Sequence, residues 1–169
     1  RQESISKIRE QDESVQLKAG IIIDSALKGY LSGKMVNVVH GGKNFLFDLV
    51  ACTALVKNGA GILTLANTNT MNGGVTVNGG GIYLTNGSKG LGTGTLTLNG
   101  GRLGALASGY VVTNAVVIAA DSAFGKADGN GNSMTLSGGL DLNGGTRVIN
   151  LDNSVTISGG LSNGGLIID

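Results

Sequence analysis

The chain contains no proline and no tryptophan, and aromatic residues make up only 4% of its 169 positions. With 31 glycines but no proline, it is neither collagen nor an ordinary flexible linker. With so few aromatics, a core must be built from stacked Val, Leu, Ile and Ala. The hydrophobic fraction of 41% is enough apolar surface to fold, which argues against disorder. Cys52 is the only cysteine, so no internal disulfide can form, although large extracellular solenoids do not depend on disulfides. His40 is the only histidine. His40 and Cys52 cannot complete a structural zinc site, which takes four protein ligands. His40 reads as a turn residue before Gly41-Gly42, and Cys52 as a small buried hydrophobe.

No apolar run approaches the roughly 18 residues of a membrane span, so no membrane insertion by this segment is expected. No signal peptide is visible. The chain starts at Arg1, which reads as a processed chain or an excised segment. The net charge of +1 predicts no strong pull on nucleic acid or anionic lipid. Charge is concentrated early: residues 1–34 hold six Lys/Arg and five Asp/Glu, whereas Lys89 and Arg102 are the only charges between Lys57 and Asp121. Residues 49–120 hold no Asp or Glu, so the central segment offers no carboxylate for acid–base cleavage of a polysaccharide. No enzyme, no catalytic residue and no cofactor are expected.

What is abundant is a repeated unit: apolar, Thr, apolar, Asn or Ser, Gly, Gly. It occurs at Val75–Gly80, Leu96–Gly101, Met134–Gly139 and Val155–Gly160, with Asp for Thr at Leu140–Gly145. Leu63-Thr64-Leu65 is its strand part alone. The alternation describes a strand with one buried face. Asn-Gly-Gly or Ser-Gly-Gly turns the chain, since Gly accepts positive φ freely and Asn tolerates it. The units starting at Val75 and Leu96 have the same separation as those starting at Met134 and Val155, and the gap from Leu96 to Met134 is close to two further periods. A period of about 20 residues suits one solenoid coil. Recurrence at coil spacing, not in mirrored pairs, argues against Asn-Gly hairpins. The glycines that mark the corners are Gly59, Gly61, Gly79, Gly80, Gly100, Gly101, Gly138, Gly139, Gly159 and Gly160.

One stretch is more specific. Lys57-Asn58-Gly59-Ala60-Gly61-Ile62-Leu63-Thr64-Leu65 leads into Asn67-Thr68-Asn69-Thr70 and then Gly73-Gly74-Val75-Thr76-Val77-Asn78-Gly79-Gly80. This resembles the passenger-associated transport repeat, also called the autotransporter-associated β-strand repeat. The departures are few: Ile62 stands where Thr is common, and Met71-Asn72 where Tyr-Thr is common. Gly90–Gly101 and Ser158–Leu166 resemble the family's continuation, so the resemblance spans roughly residues 55–169 and leaves residues 1–54 unmatched. It implies an all-β fold, a right-handed parallel β-helix, export across the bacterial envelope, and an extracellular or cell-surface scaffold without catalytic residues. The family's C-terminal barrel of amphipathic strands does not follow. That leaves a piece of a longer passenger, or a free secreted protein using the same coil.

Two segments are therefore expected, residues 1–54 and a continuous solenoid of residues 55–169, with roughly six to eight coils in all. A short helix over Ser4–Glu13, with Ile5 and Ile8 on a thin apolar stripe, would cap the stack or take part in assembly. Val15 to Lys18, Ile21 to Ile23, Val36 to Val39, Phe45 to Leu49 and Cys52 to Val56 read as strands. At the other end Leu166-Ile167-Ile168 is apolar and shows no cap. An uncapped end favours addition of a second copy, and a head-to-tail contact that does not close makes a filament. The partner is expected to be the chain itself, by end-to-end stacking, or a host or matrix surface.

Other signals are weaker. Gly160-Leu161-Ser162-Asn163-Gly164 fits the Gly-x-Ser-x-Gly pattern, which needs a strand-turn-helix context and a histidine. Asp128, Asn130 and Asn132 alternate as in calcium loops, but Ser133 stands at the sixth position and Gly139 at the twelfth, so a polar loop is the plainer reading. A column of Thr76, Thr97, Thr135 and Thr156 could suggest an ice-binding array, although Thr is simply a good exposed strand residue. Tyr30, Tyr83 and Tyr110 are too few and scattered for a sugar-binding platform.

Overall fold

The computed structural model describes residues 54–66, 68–130 and 132–169 in full and, ahead of these, the backbone of five strands. The Ser4–Glu13 helix, Ile5, Ile8 and Cys52 lie outside the described residues. The early strands are β1 (Gln16–Leu17), β2 (Gly20–Ile23), β3 (Lys28–Ser32), β4 (Met35–His40) and β5 (Lys43–Asp48). Then come β6 (Ala54–Lys57), β7 (Ile62–Ala66), β8 (Val75–Val77), β9 (Gly81–Leu84), β10 (Leu96–Asn99), β11 (Arg102–Ala105) and β12 (Tyr110–Val112). The chain continues through β13 (Val116–Ala120), β14 (Ser122–Phe124), β15 (Met134–Leu136), β16 (Leu140–Leu151), β17 (Val155–Ile157) and β18 (Leu161–Ile168). A 3-10 helix at Gly87–Leu91 precedes β10.

These strands wind into a parallel β-solenoid of about five turns. The first face stacks β2, β6, β8, β10, β13, the start of β16 and β18. The second stacks β3, β7, β9, β11, β14 and the end of β16. A third face of β12, β15 and β17 forms only in the later turns. Every pair on these faces is parallel, as the coil-spaced recurrence of the repeat requires.

Alternation explains the core. Leu55, Val75, Leu96, Val116 and Leu140 are in register on the first face and all buried. Leu63, Ile82, Leu103 and Phe124 make the matching column on the second. Each such side chain contributes about 1.5–3 kcal/mol through burial, so the interior is the sum of aliphatic ladders that the few aromatics require.

Two expectations need correction. β4 and β5, expected among the coils, do not coil. They run antiparallel, β3 to β4 to β5, and extend the second face beyond β3. His40 closes β4, in register with Lys43. Finally, the threonine column is not one column. Thr76 pairs with Thr97 on the first face, Thr64 lies on the second in β7, and Thr135 pairs with Thr156 on the third. The long gap from Leu96 to Met134 is thus one coil, β10 to β13, plus a slip of the repeat onto another face.

Candidate functional site

The corner glycines fall into two columns. Gly59-Ala60-Gly61, Gly79-Gly80 and Gly100-Gly101 connect the first face to the second. Gly138-Gly139 and Gly159-Gly160 return the chain from the third face to the first. Gly80 shows why the residue is needed: its φ is +60°, and a Cβ there would collide with the carbonyl oxygen of Gly61 in the coil before. The second column is broken once, by Asn114, which is buried and donates from Nδ2 to Gly92 O at 3.1 Å and Gly94 O at 2.7 Å. Beside the first corner, exposed asparagines form a ladder: Asn78 Nδ2 donates to Asn58 Oδ1 at 2.8 Å, and Asn99 Nδ2 to Asn78 Oδ1 at 3.1 Å.

Lys57 stands out against this background. It is fully buried, in register with Val77, yet its ammonium donates to Asn58 O (2.6 Å), Gly59 O (2.8 Å) and Gly79 O (3.4 Å). Buried charge is tolerated when hydrogen-bonded in this way. The acceptors come from two successive coils, so Lys57 ties one corner to the next. Charge and spacing alone do not reveal this role, because the Gly79 acceptor lies a whole coil away.

The second face carries the polar chemistry. Arg102 sits outward on β11, with its stem over Gly81 and its guanidinium paired with Asp152; Nη1 also donates to Gly125 O at 3.3 Å. The Tyr83 ring lies over Gly104, where a Cβ would stand 2.7 Å from it, and Ala127 N donates to the Tyr83 hydroxyl at 3.4 Å. Register places Tyr30, Thr64 and Tyr83 in one column, an alignment hidden by their spacing in sequence. Tyr110 lies on the third face and donates to Thr85 O.

Of the calcium candidates, Asp128 receives Lys126 Nζ at 3.0 Å and Asn130 N at 3.2 Å, and these hydrogen bonds, led by Lys126, hold its carboxyl below the usual range. Asn132 turns instead to Ala105 O, to which it donates at 3.0 Å, and to the Ser108 hydroxyl. Asp128 and Asn132 thus spend their oxygens on protein partners. Among the described residues, no group of three or more His, Cys, Asp or Glu is placed to hold a metal ion. Ser162 of the Gly-x-Ser-x-Gly match lies within β18, paired with Asp141, not at a strand-to-helix elbow. His40 is in β4, near the opposite end of the sheet. Of the assembly candidates, Leu166 packs on the core, while Ile167 and Ile168 remain 50% and 52% exposed and Leu161 49%. β18 pairs with β16 on one side only.

No helix among the described residues is long and apolar enough to cross a membrane. No curated protein and no solved structure matches the chain. Residues 55–82, whose span holds both the buried Lys57 and the first glycine corner, match the family model of the passenger-associated-transport-repeat, and they lie on the β-solenoid.

Proposed function

We propose that the chain is a secreted, non-enzymatic part of an autotransporter-like passenger, whose coils hold an adhesive surface away from the bacterial cell. The observation that carries this reading is the unbroken parallel stack running through and beyond residues 55–82. The engagement of four aspartates supports a binding role over acid–base chemistry. Asp152 takes Arg102, Asp128 takes Lys126, Asp141 accepts from Asn143 N and Asn163 Nδ2, and Asp121 accepts from Val148 N. The test is adhesion of beads coated with the purified chain to cultured cells and to matrix proteins. Retention above albumin-coated beads is expected, and equal retention on every surface would remove the adhesive role.

The exposed Leu161, Ile167 and Ile168 of β18 favour a second reading, end-to-end stacking of copies into an extracellular filament. Negative-stain electron microscopy decides it. Filaments that disappear in an Ile168→Lys variant support stacking, and monodisperse short rods from the parent chain sink it.

A further inference from the structure

An open groove of about 440 Å³ runs across several coils along the first corner. Its floor includes Gly100 and Gly101, between β10 and β11. Gly100 has φ +93°, and a Cβ built there would meet only Asn78 O, at 3.9 Å. The backbone itself therefore forms the floor, and a ligand can lie directly against it.

The lining narrows the ligand class by chemistry. Arg102 stands at the rim, but Asp152 and Gly125 O already engage its guanidinium, which leaves no uncompensated cation for phosphate or sulfate. No aromatic residue lines the groove, which disfavours a flat hydrophobic ligand. Asp121 is its one carboxylate, too few for a cation site built from protein ligands. What remains is hydrogen-bonding capacity beside small apolar surfaces. Asp121 is exposed and uses one oxygen on Val148 N at 2.9 Å, keeping the other for a hydroxyl donor. Asn150 is exposed, and its amide makes no hydrogen bond with the described residues, so it offers both a donor and an acceptor. Ala123 and Val148 provide patches for C–H surfaces. Successive rungs stand about 4.8 Å apart, so a chain laid along the axis meets a new set of groups at each rung.

We propose that this corner groove binds a neutral glycan chain laid along the solenoid axis, with Asn150 and Asp121 hydrogen-bonding its hydroxyls. The proposal deepens the adhesive reading and rests on it for its biological purpose. Binding without cleavage follows from the groove's single carboxylate, since glycoside hydrolysis uses two.

Amide proton–nitrogen correlation spectra of the full chain test it, with neutral cello-, malto- and chito-tetrasaccharides and an acidic hyaluronan tetrasaccharide as probes. At least one neutral probe is expected to shift the amides of Gly100, Gly101, Asp121 and Asn150. Asn150→Leu, an exposed position whose change should leave the circular dichroism intact, should weaken that binding about tenfold. Gly100→Ala, which fills the floor, should weaken it too; its strained φ makes Asn150→Leu the deciding variant. No shift at these amides with any neutral probe at millimolar concentration, or a response to the acidic probe alone, overturns the proposal. Bead adhesion without groove shifts removes the groove and spares the adhesive reading. Groove shifts without bead adhesion do the reverse.

Discussion

At single positions, the interior tolerates one charged side chain because the corner supplies it with carbonyls. Lys57 occupies a place that Val77 takes in the following coil, and its carbonyl acceptors belong to the turns of both coils. Lys57→Met keeps the stem and removes the donor. Each buried acceptor left unpaired costs about 1–3 kcal/mol, so thermal unfolding should show a clear drop, larger than for the surface change Lys126→Met. Gly80→Ala should also destabilise, by about 1–3 kcal/mol, because it adds a Cβ at positive φ against the Gly61 carbonyl. Gly80 was readable from sequence, since Asn-Gly-Gly announces a positive-φ turn. Lys57 was readable only as a family position, because burial depends on what the next coil places over it.

Strands and loops show where pattern is enough and where it fails. In β10, Leu98 is fully buried and Thr97 is not. Leu98→Ala should therefore cost about 2–5 kcal/mol, and Thr97→Ala far less, as denaturant midpoints will show. That contrast follows from alternation alone, which is why the strands of residues 54–169 were legible. Their assignment to faces was not. The same six-letter unit builds β8 and β10 on the first face and β15 and β17 on the third. What selects the face is the length of the intervening loop, and that carries no local signature. In the loop after β14, the Asp128 carboxyl is held below its ordinary range by Lys126. A depressed acid stabilises above its unfolded pKa and loses that contribution as pH falls through the folded one. Proton titration should place Asp128 below a free aspartate, and Lys126→Ala should bring it back up. Asp128 is exposed, so global stability should barely respond.

Across the whole molecule, each coil contacts mainly its neighbours, so stability should behave as a sum of coils and interfaces. Hydrogen exchange is the direct measure. Amides in β10, β11, β13 and β14, paired on both sides, should be the slowest. Those on the outer edge of β18 should exchange fast, and equal protection throughout would contradict the one-dimensional picture. The solenoid was legible because its period survives over many units. The antiparallel β4–β5 extension was not, because Val36–Val39 and Phe45–Leu49 read as strands just as the coil segments do, and strand-forming composition does not reveal the direction of a partner.

The slip of the repeat between faces also bears on how such a chain can change by recombination. Unequal crossing-over between the copies at Val75 and Leu96, or at Met134 and Val155, removes or adds one full winding, and every later side chain keeps its orientation. The same event between Leu96 and Met134 excises more than a winding and joins a first-face strand to a third-face continuation. Near-identical words thus permit some duplications and poison others, and descendants that gained or lost length would be expected to carry the joins that respect the winding.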